Sequence, residues 1–122
     1  MASRNFNRKQ ALEKQCKELY AKLTFGSSGA VTLTTGYGIA SVTKSATGDY
    51  KITLSDKYVS LKYFDAVLLK SSGEDIRVQL KAESVNSAKT IDFYTLTGSS
   101  ATNPSSGSAL LIKLELKNTS AV

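Results

Sequence analysis

The chain has no His and no Trp, and only one Pro, one Cys and one Met among its 122 residues. Without His, Ser-His-Asp and Cys-His catalysis, most zinc sites and the usual neutral-pH general base are excluded. A single Cys permits no internal disulfide, which removes the disulfide-stapled secreted modules. Long hydrophobic runs are missing too. Nothing approaches the ~18 apolar residues of a membrane span, and residues 1–10 are polar, unlike a signal peptide. Hydrophobic residues at 41% still suffice for the modest core of one domain. The expectation is a soluble chain made and folded in a reducing compartment.

The charge that is present is unevenly placed. The formal net charge is +6, and residues 1–25 hold six basic groups (Arg4, Arg8, Lys9, Lys14, Lys17, Lys22) against two acids (Glu13, Glu18). The remaining residues are nearly neutral, whereas a nucleic-acid domain should concentrate its excess on a folded face with aromatics interleaved. A solubilising arm, attraction to an acidic partner surface and nucleic-acid binding all stay open.

Residues 7–23 contain no Gly, Pro, Val, Ile or Thr and are rich in Ala, Leu, Glu, Lys and Gln, which predicts a helix. Asn5 or Asn7 can cap it. Leu12, Cys16, Leu19 and Leu23 follow a 4-3-4 spacing, forming a narrow stripe with Tyr20 alongside. Glu13–Lys17 and Glu18–Lys22 are i,i+4 pairs in the favoured order. The stripe either packs on the rest of the chain, pairs with helices of other subunits, or docks on a different protein. In that organisation residues 1–25 are a helical arm, 26–29 a Gly/Ser hinge and 30–122 a β-sandwich domain.

After Gly29 the apolar period changes from 3.6 to 2. Segments 30–34, 39–43, 50–54, 61–70, 76–85, 90–97 and 109–116 read as about seven short strands, the pattern of an antiparallel sandwich. In the final segment Leu110, Ile112, Leu114 and Leu116 share one face. Residues 46–49 and 71–75 supply Gly-containing hairpin turns. Residues 98–108 are Gly, Ser, Thr, Ala, Asn and Pro throughout and predict a long exposed loop.

Motifs with chemistry are scarce. Thr34-Thr35-Gly36-Tyr37-Gly38 has the letters of a potassium filter, but such a string functions only as a carbonyl ring between membrane helices. A Gly-punctuated kink between strands is the plainer reading. No Walker loop, dinucleotide fingerprint or nucleophile elbow occurs. The acids are scattered, and Glu74-Asp75 lacks the alternating ligands of a calcium loop. Cys16 on the stripe reads as a small hydrophobe. Tyr50, Tyr58, Tyr63, Phe64, Phe93 and Tyr94 fall in or beside strands, where packing accounts for them. Nothing calls for catalysis, a metal or a cofactor.

Three blocks carry a resemblance. They are Met1-Ala2-Ser3-Arg4-Asn5-Phe6 leading to Lys17-Glu18-Leu19-Tyr20; Gly38-Ile39-Ala40-Ser41-Val42-Thr43-Lys44 with Gly48-Asp49-Tyr50-Lys51-Ile52-Thr53-Leu54-Ser55-Asp56-Lys57-Tyr58; and Asn103-Pro104-Ser105-Ser106-Gly107 with Leu110 to Ser120. Together they resemble small virion structural proteins of tailed bacteriophages, of the head decoration, cement or head-fibre kind. The resemblance implies a non-enzymatic homo-oligomer, a trimer by preference, made in the host cytoplasm and seated on the capsid surface against the major capsid protein. Phe6, Leu12, Cys16, Leu19, Tyr20 and Leu23 are then the expected subunit or capsid contacts, and Arg4, Arg8 and Lys9 the docking charges. The chief alternative is a receptor- or glycan-binding module of a tail or fibre, working through residues 98–108 and nearby aromatics. A basic nucleic-acid-binding domain and a small hydrolase follow.

Overall fold

The structure, a computed structural model, describes residues 16–117. Its strands are β1 (Cys16–Phe25), β2 (Val31–Gly36), β3 (Ile39–Ala46), β4 (Asp49–Leu54), β5 (Ser60–Leu69), β6 (Arg77–Ser84), β7 (Thr90–Thr97), β8 (Ser100–Ala101) and β9 (Ala109–Lys117). The seven segments with period-2 alternation became β2 to β7 and β9. One sheet runs β2-β1-β9-β5 and the other β3-β4-β7-β6, with the short β8 extending the second sheet beside β7. Every pairing is antiparallel. The fold is mainly β, two sheets packed face to face.

Alternation decides what lies between the sheets. Leu19, Leu23, Leu110, Ile112, Leu114 and Leu116 project from the first sheet onto Tyr50, Ile52, Leu54, Ile91 and Phe93 of the second. Each large side chain so buried contributes roughly 1.5–3 kcal/mol. An aromatic column crosses the interior. Phe25 meets Tyr50 edge-on at 5.5 Å, Tyr50 stacks on Phe93 at 5.5 Å, and Phe93 lies 5.8 Å from Phe64. Phe25 and Phe64 come from the first sheet and Tyr50 and Phe93 from the second, so the column ties the two together.

The predicted helix is corrected over the residues described. Cys16–Phe25 is a strand, hydrogen-bonded between β2 and β9. The same letters that give a helical stripe also alternate: Leu19, Ala21, Leu23 and Phe25 are buried, and Tyr20, Lys22 and Thr24 are not. Helix propensity is a weak, local preference of tenths of a kcal/mol per residue. Nine register partners on β9, from Cys16↔Lys117 to Thr24↔Ala109, outweigh it. Residues 26–29 therefore form a turn inside the sandwich, which includes Cys16–Phe25 as well as the residues from 30 on. The part of the expected arm over residues 1–15, with its caps and basic groups, lies outside the described residues.

The loop at 98–108 also differs from expectation. It carries β8, Pro104 and Ser108 are buried, and Asn103 is partly so. Its polar groups are taken up locally. Thr95 Oγ1 donates to the Thr102 carbonyl and Ser108 Oγ to that of Ser105, each at 2.6 Å. The Gly48 amide donates to Asn103 Oδ1 at 3.0 Å, and Asn103 Nδ2 donates to the Ser28 carbonyl at 3.2 Å. One asparagine thus joins three connections at one end of the sandwich.

Candidate functional site

The outer faces of the two sheets differ in kind. On the second sheet Lys81 and Arg77 are each held by neighbouring groups. Lys81 Nζ lies 2.9 Å from Asp49 Oδ2 and 5.2 Å above the Tyr94 ring. The hydrogen bond to Asp49 holds the Lys81 ammonium above its ordinary pKa, more than offsetting partial burial. Arg77 Nη2 donates to the Gly98 carbonyl at 2.7 Å, and Nη1 to Gln79 Oε1 at 3.3 Å. A groove of about 410 Å³ beside them is bordered by Tyr94, Leu96 and Ser99.

The outer face of the first sheet carries exposed apolar side chains among charged ones. Register places Tyr20 and Asp65 on either side of Lys113, and Lys22 and Val67 on either side of Leu111. Tyr20 is 53% exposed, Tyr63 49%, Val67 57%, Leu69 49% and Leu111 43%. A groove of about 680 Å³ runs across this face, floored by Leu111 and Val67 and flanked by Tyr20, Lys22, Tyr37 and Asp65. Singly exposed hydrophobics are ordinary, but a contiguous patch on a folded surface marks a contact site.

Tyr37 rims this groove from the connection between β2 and β3, where the Gly36-Tyr37-Gly38 string passes the chain between sheets. Its amide donates to the Tyr20 carbonyl at 3.1 Å, and the Gly38 carbonyl accepts from Ser55 at 2.9 Å. Gly38 has φ +77°, and a Cβ there would stand 2.8 Å from Leu19 Cδ2. Backbone contacts hold the turn on both sides, leaving the Tyr37 ring 65% exposed, with Lys17 Nζ 5.3 Å over it. The plain kink reading of this string describes its backbone, and the exposed ring adds a surface role.

The expected contact residues separate. Leu19 and Leu23 are fully buried against the chain's own core and cannot meet another protein. Their 4-3-4 spacing makes a stripe only on a helix, whereas a strand turns alternate residues inward. Tyr20 does face outward, and Cys16 is exposed at the start of β1. The Tyr20 hydroxyl donates to Glu18, which raises its pKa, with smaller contributions from burial and charge repulsion. Arg4, Phe6, Arg8, Lys9 and Leu12 lie outside the described residues.

Sequence reasoning missed Tyr37, Val67, Leu69 and Leu111. A signal existed in the consecutive apolar runs Val67-Leu68-Leu69 and Leu110-Leu111-Ile112. In a strand covered on one side only, such a run must send at least one member outward.

Of the acidic pair Glu74-Asp75, the Glu74 carboxylate is otherwise occupied. Glu74 Oε1 accepts from Ser105 Oγ at 2.8 Å and pairs with Lys70 at 3.4 Å, and Oε2 accepts from the Ser105 amide at 3.2 Å. Burial pushes the Glu74 carboxyl up, but the Ser105 and Lys70 hydrogen bonds outweigh it and hold the group below its usual range. Among the described residues no group of three His, Cys, Asp or Glu could hold a metal, and no helix is long and apolar enough to cross a membrane. In comparisons with known proteins, no family model, no curated protein and no solved structure matches the chain.

Proposed function

We propose that this chain is a structural protein of a tailed-phage virion, a decoration, cement or head-fibre subunit that binds the major capsid protein and stabilises the particle. One observation carries the reading: the apolar outer face of the β2-β1-β9-β5 sheet, with three half-exposed tyrosines in or beside its groove. Tyr-rich apolar patches are typical of the central contacts of protein interfaces. The blocks that resemble virion proteins add support. Among the described residues they fall in β1, the β3–β4 hairpin, the 103–107 turn and β9, the framework a shell-bound subunit needs. Many copies on a symmetric lattice give avidity without strong single contacts. Arg4, Arg8 and Lys9 would steer the N-terminal residues toward an acidic capsid surface.

The test is made on particles. Mass spectrometry of gradient-purified phage encoding this chain should find it in many copies. Purified protein should also rebind to particles lacking it. Absence from the purified particle overturns the reading. The groove beside Tyr94, Leu96 and Ser99 favours the second reading, a glycan-binding module, which glycan-array binding lost on Tyr94→Ala would promote.

A further inference from the structure

We infer that the outer face of the β2-β1-β9-β5 sheet seats a second copy of this chain. The inference rests on the assembly reading above and names the occupant of its apolar face.

Charge is the first argument. The strands β1, β5 and β9 direct Glu18, Asp65 and Glu115 outward on this face together with Lys22, Lys113 and Lys117. The signs alternate along β9, where Lys113, Glu115 and Lys117 follow one another on alternate positions. A strongly acidic or basic partner would meet as many like charges as opposite ones, which costs affinity. A copy of the same face carries the same balanced set, and an isologous contact brings one patch against itself. Nucleic acid, which selects one sign, does not fit this face.

Area is the second. Four strands spaced about 4.8 Å apart and about eight residues long give a face of about 500 Å². Two such faces bury about 1,000 Å² together, at the lower limit of specific interfaces. The apolar part lies on β9 and the edge strand β5, at Leu111, Val67 and Leu69, with Lys22, Asp65 and Lys113 beside it. Thr24 and Thr32, paired across β1 and β2, are small residues that let another sheet approach.

The experiment uses the full chain. Sedimentation velocity from about 1 to about 200 µM, a range that bounds weak homodimers, should show concentration-dependent association. The double variant Val67→Glu/Leu111→Glu should weaken association by at least about tenfold. Thr43→Glu, an exposed substitution on the other sheet, should leave it unchanged. A second measurement covers a double variant that fails to fold. Leu111→Cys on a Cys16→Ser background should form cross-linked dimers with a short bismaleimide, and Thr43→Cys should not. A wild-type monomer throughout the range, or equal cross-linking at both positions, overturns the inference. Particle binding is scored separately. A monomer that still seats on particles sinks this inference and spares the virion reading, and a dimer absent from particles does the reverse.

Discussion

The hydroxyl of Tyr50, buried among core side chains, donates to the carbonyl of Gly29 at 2.8 Å. One residue therefore serves both as an inner ring of the aromatic column and as the anchor of the turn between β1 and β2. Tyr50→Phe keeps the ring and leaves the Gly29 carbonyl without this donor. It should cost about 1–2 kcal/mol in chemical denaturation, with the m-value unchanged.

The same group sets an alkaline limit. Burial pushes the Tyr50 phenol up to about 12 from 10.0. Because the folded-state value is the higher one, the stabilisation is full below about pH 10 and is lost as pH rises toward 12. The wild type should lose stability over that window more steeply than Tyr50→Phe. Parallel curves for the two proteins would contradict this.

Glu74 acts at the other end of the scale. Its folded-state pKa is held below its usual value of 4.5, so its contribution is present above that value and fades as pH falls through it. Glu74→Gln should flatten the acid limb of the stability curve and increase protease cutting within residues 98–108.

Glycines with positive φ should not be equivalent. At Gly29, with φ +71°, a Cβ would fall 2.5 Å from Asn103 Cγ, whereas at Gly107, with φ +87°, nothing lies within 4 Å. Both alanine variants carry the backbone penalty, of order 1 kcal/mol. Only Gly29→Ala should also displace Asn103 and so loosen its links to Gly48 and Ser28. Its melting temperature should fall further than that of Gly107→Ala.

Removing residues 1–25 tests the place of β1. As a peripheral arm the segment could be deleted with little loss of fold. As a strand it covers one edge of β9 and supplies Leu19, Leu23 and Phe25 to the core. The shortened chain should lose its cooperative transition, since each missing large core side chain is worth about 2–5 kcal/mol.

Much of this architecture was legible in the sequence because alternation is local. Ile52 and Leu54, or Leu110 to Leu116, announce their inward face within a few residues, and Gly48 marks its own turn. β1 was not legible, since Lys17, Glu18, Leu19 and Ala21 prefer helix when considered alone. What makes them a strand is β9, 85 residues away at the pairing of Thr24 with Ala109 and 101 at that of Cys16 with Lys117. The outward positions of Val67 and Leu111 were hidden for a related reason. Composition shows how much apolar surface a strand has, but the register of its neighbours decides which side stays uncovered.

β9 follows every other described strand in sequence yet lies between β1 and β5. During synthesis the β1–β2, β3–β4 and β6–β7 pairs can each form as soon as both strands emerge. β5 has no such option, since its partner is β9 alone. Ten residues of open strand edge, with Tyr63, Phe64, Val67 and Leu69 upon it, wait until residues 109–117 leave the ribosome. Non-local pairing of this kind folds slowly and leaves edges open to other chains. Closure of the sandwich thus waits for β9, and the rate at which β9 inserts sets how long newly made copies are open to mispairing with one another.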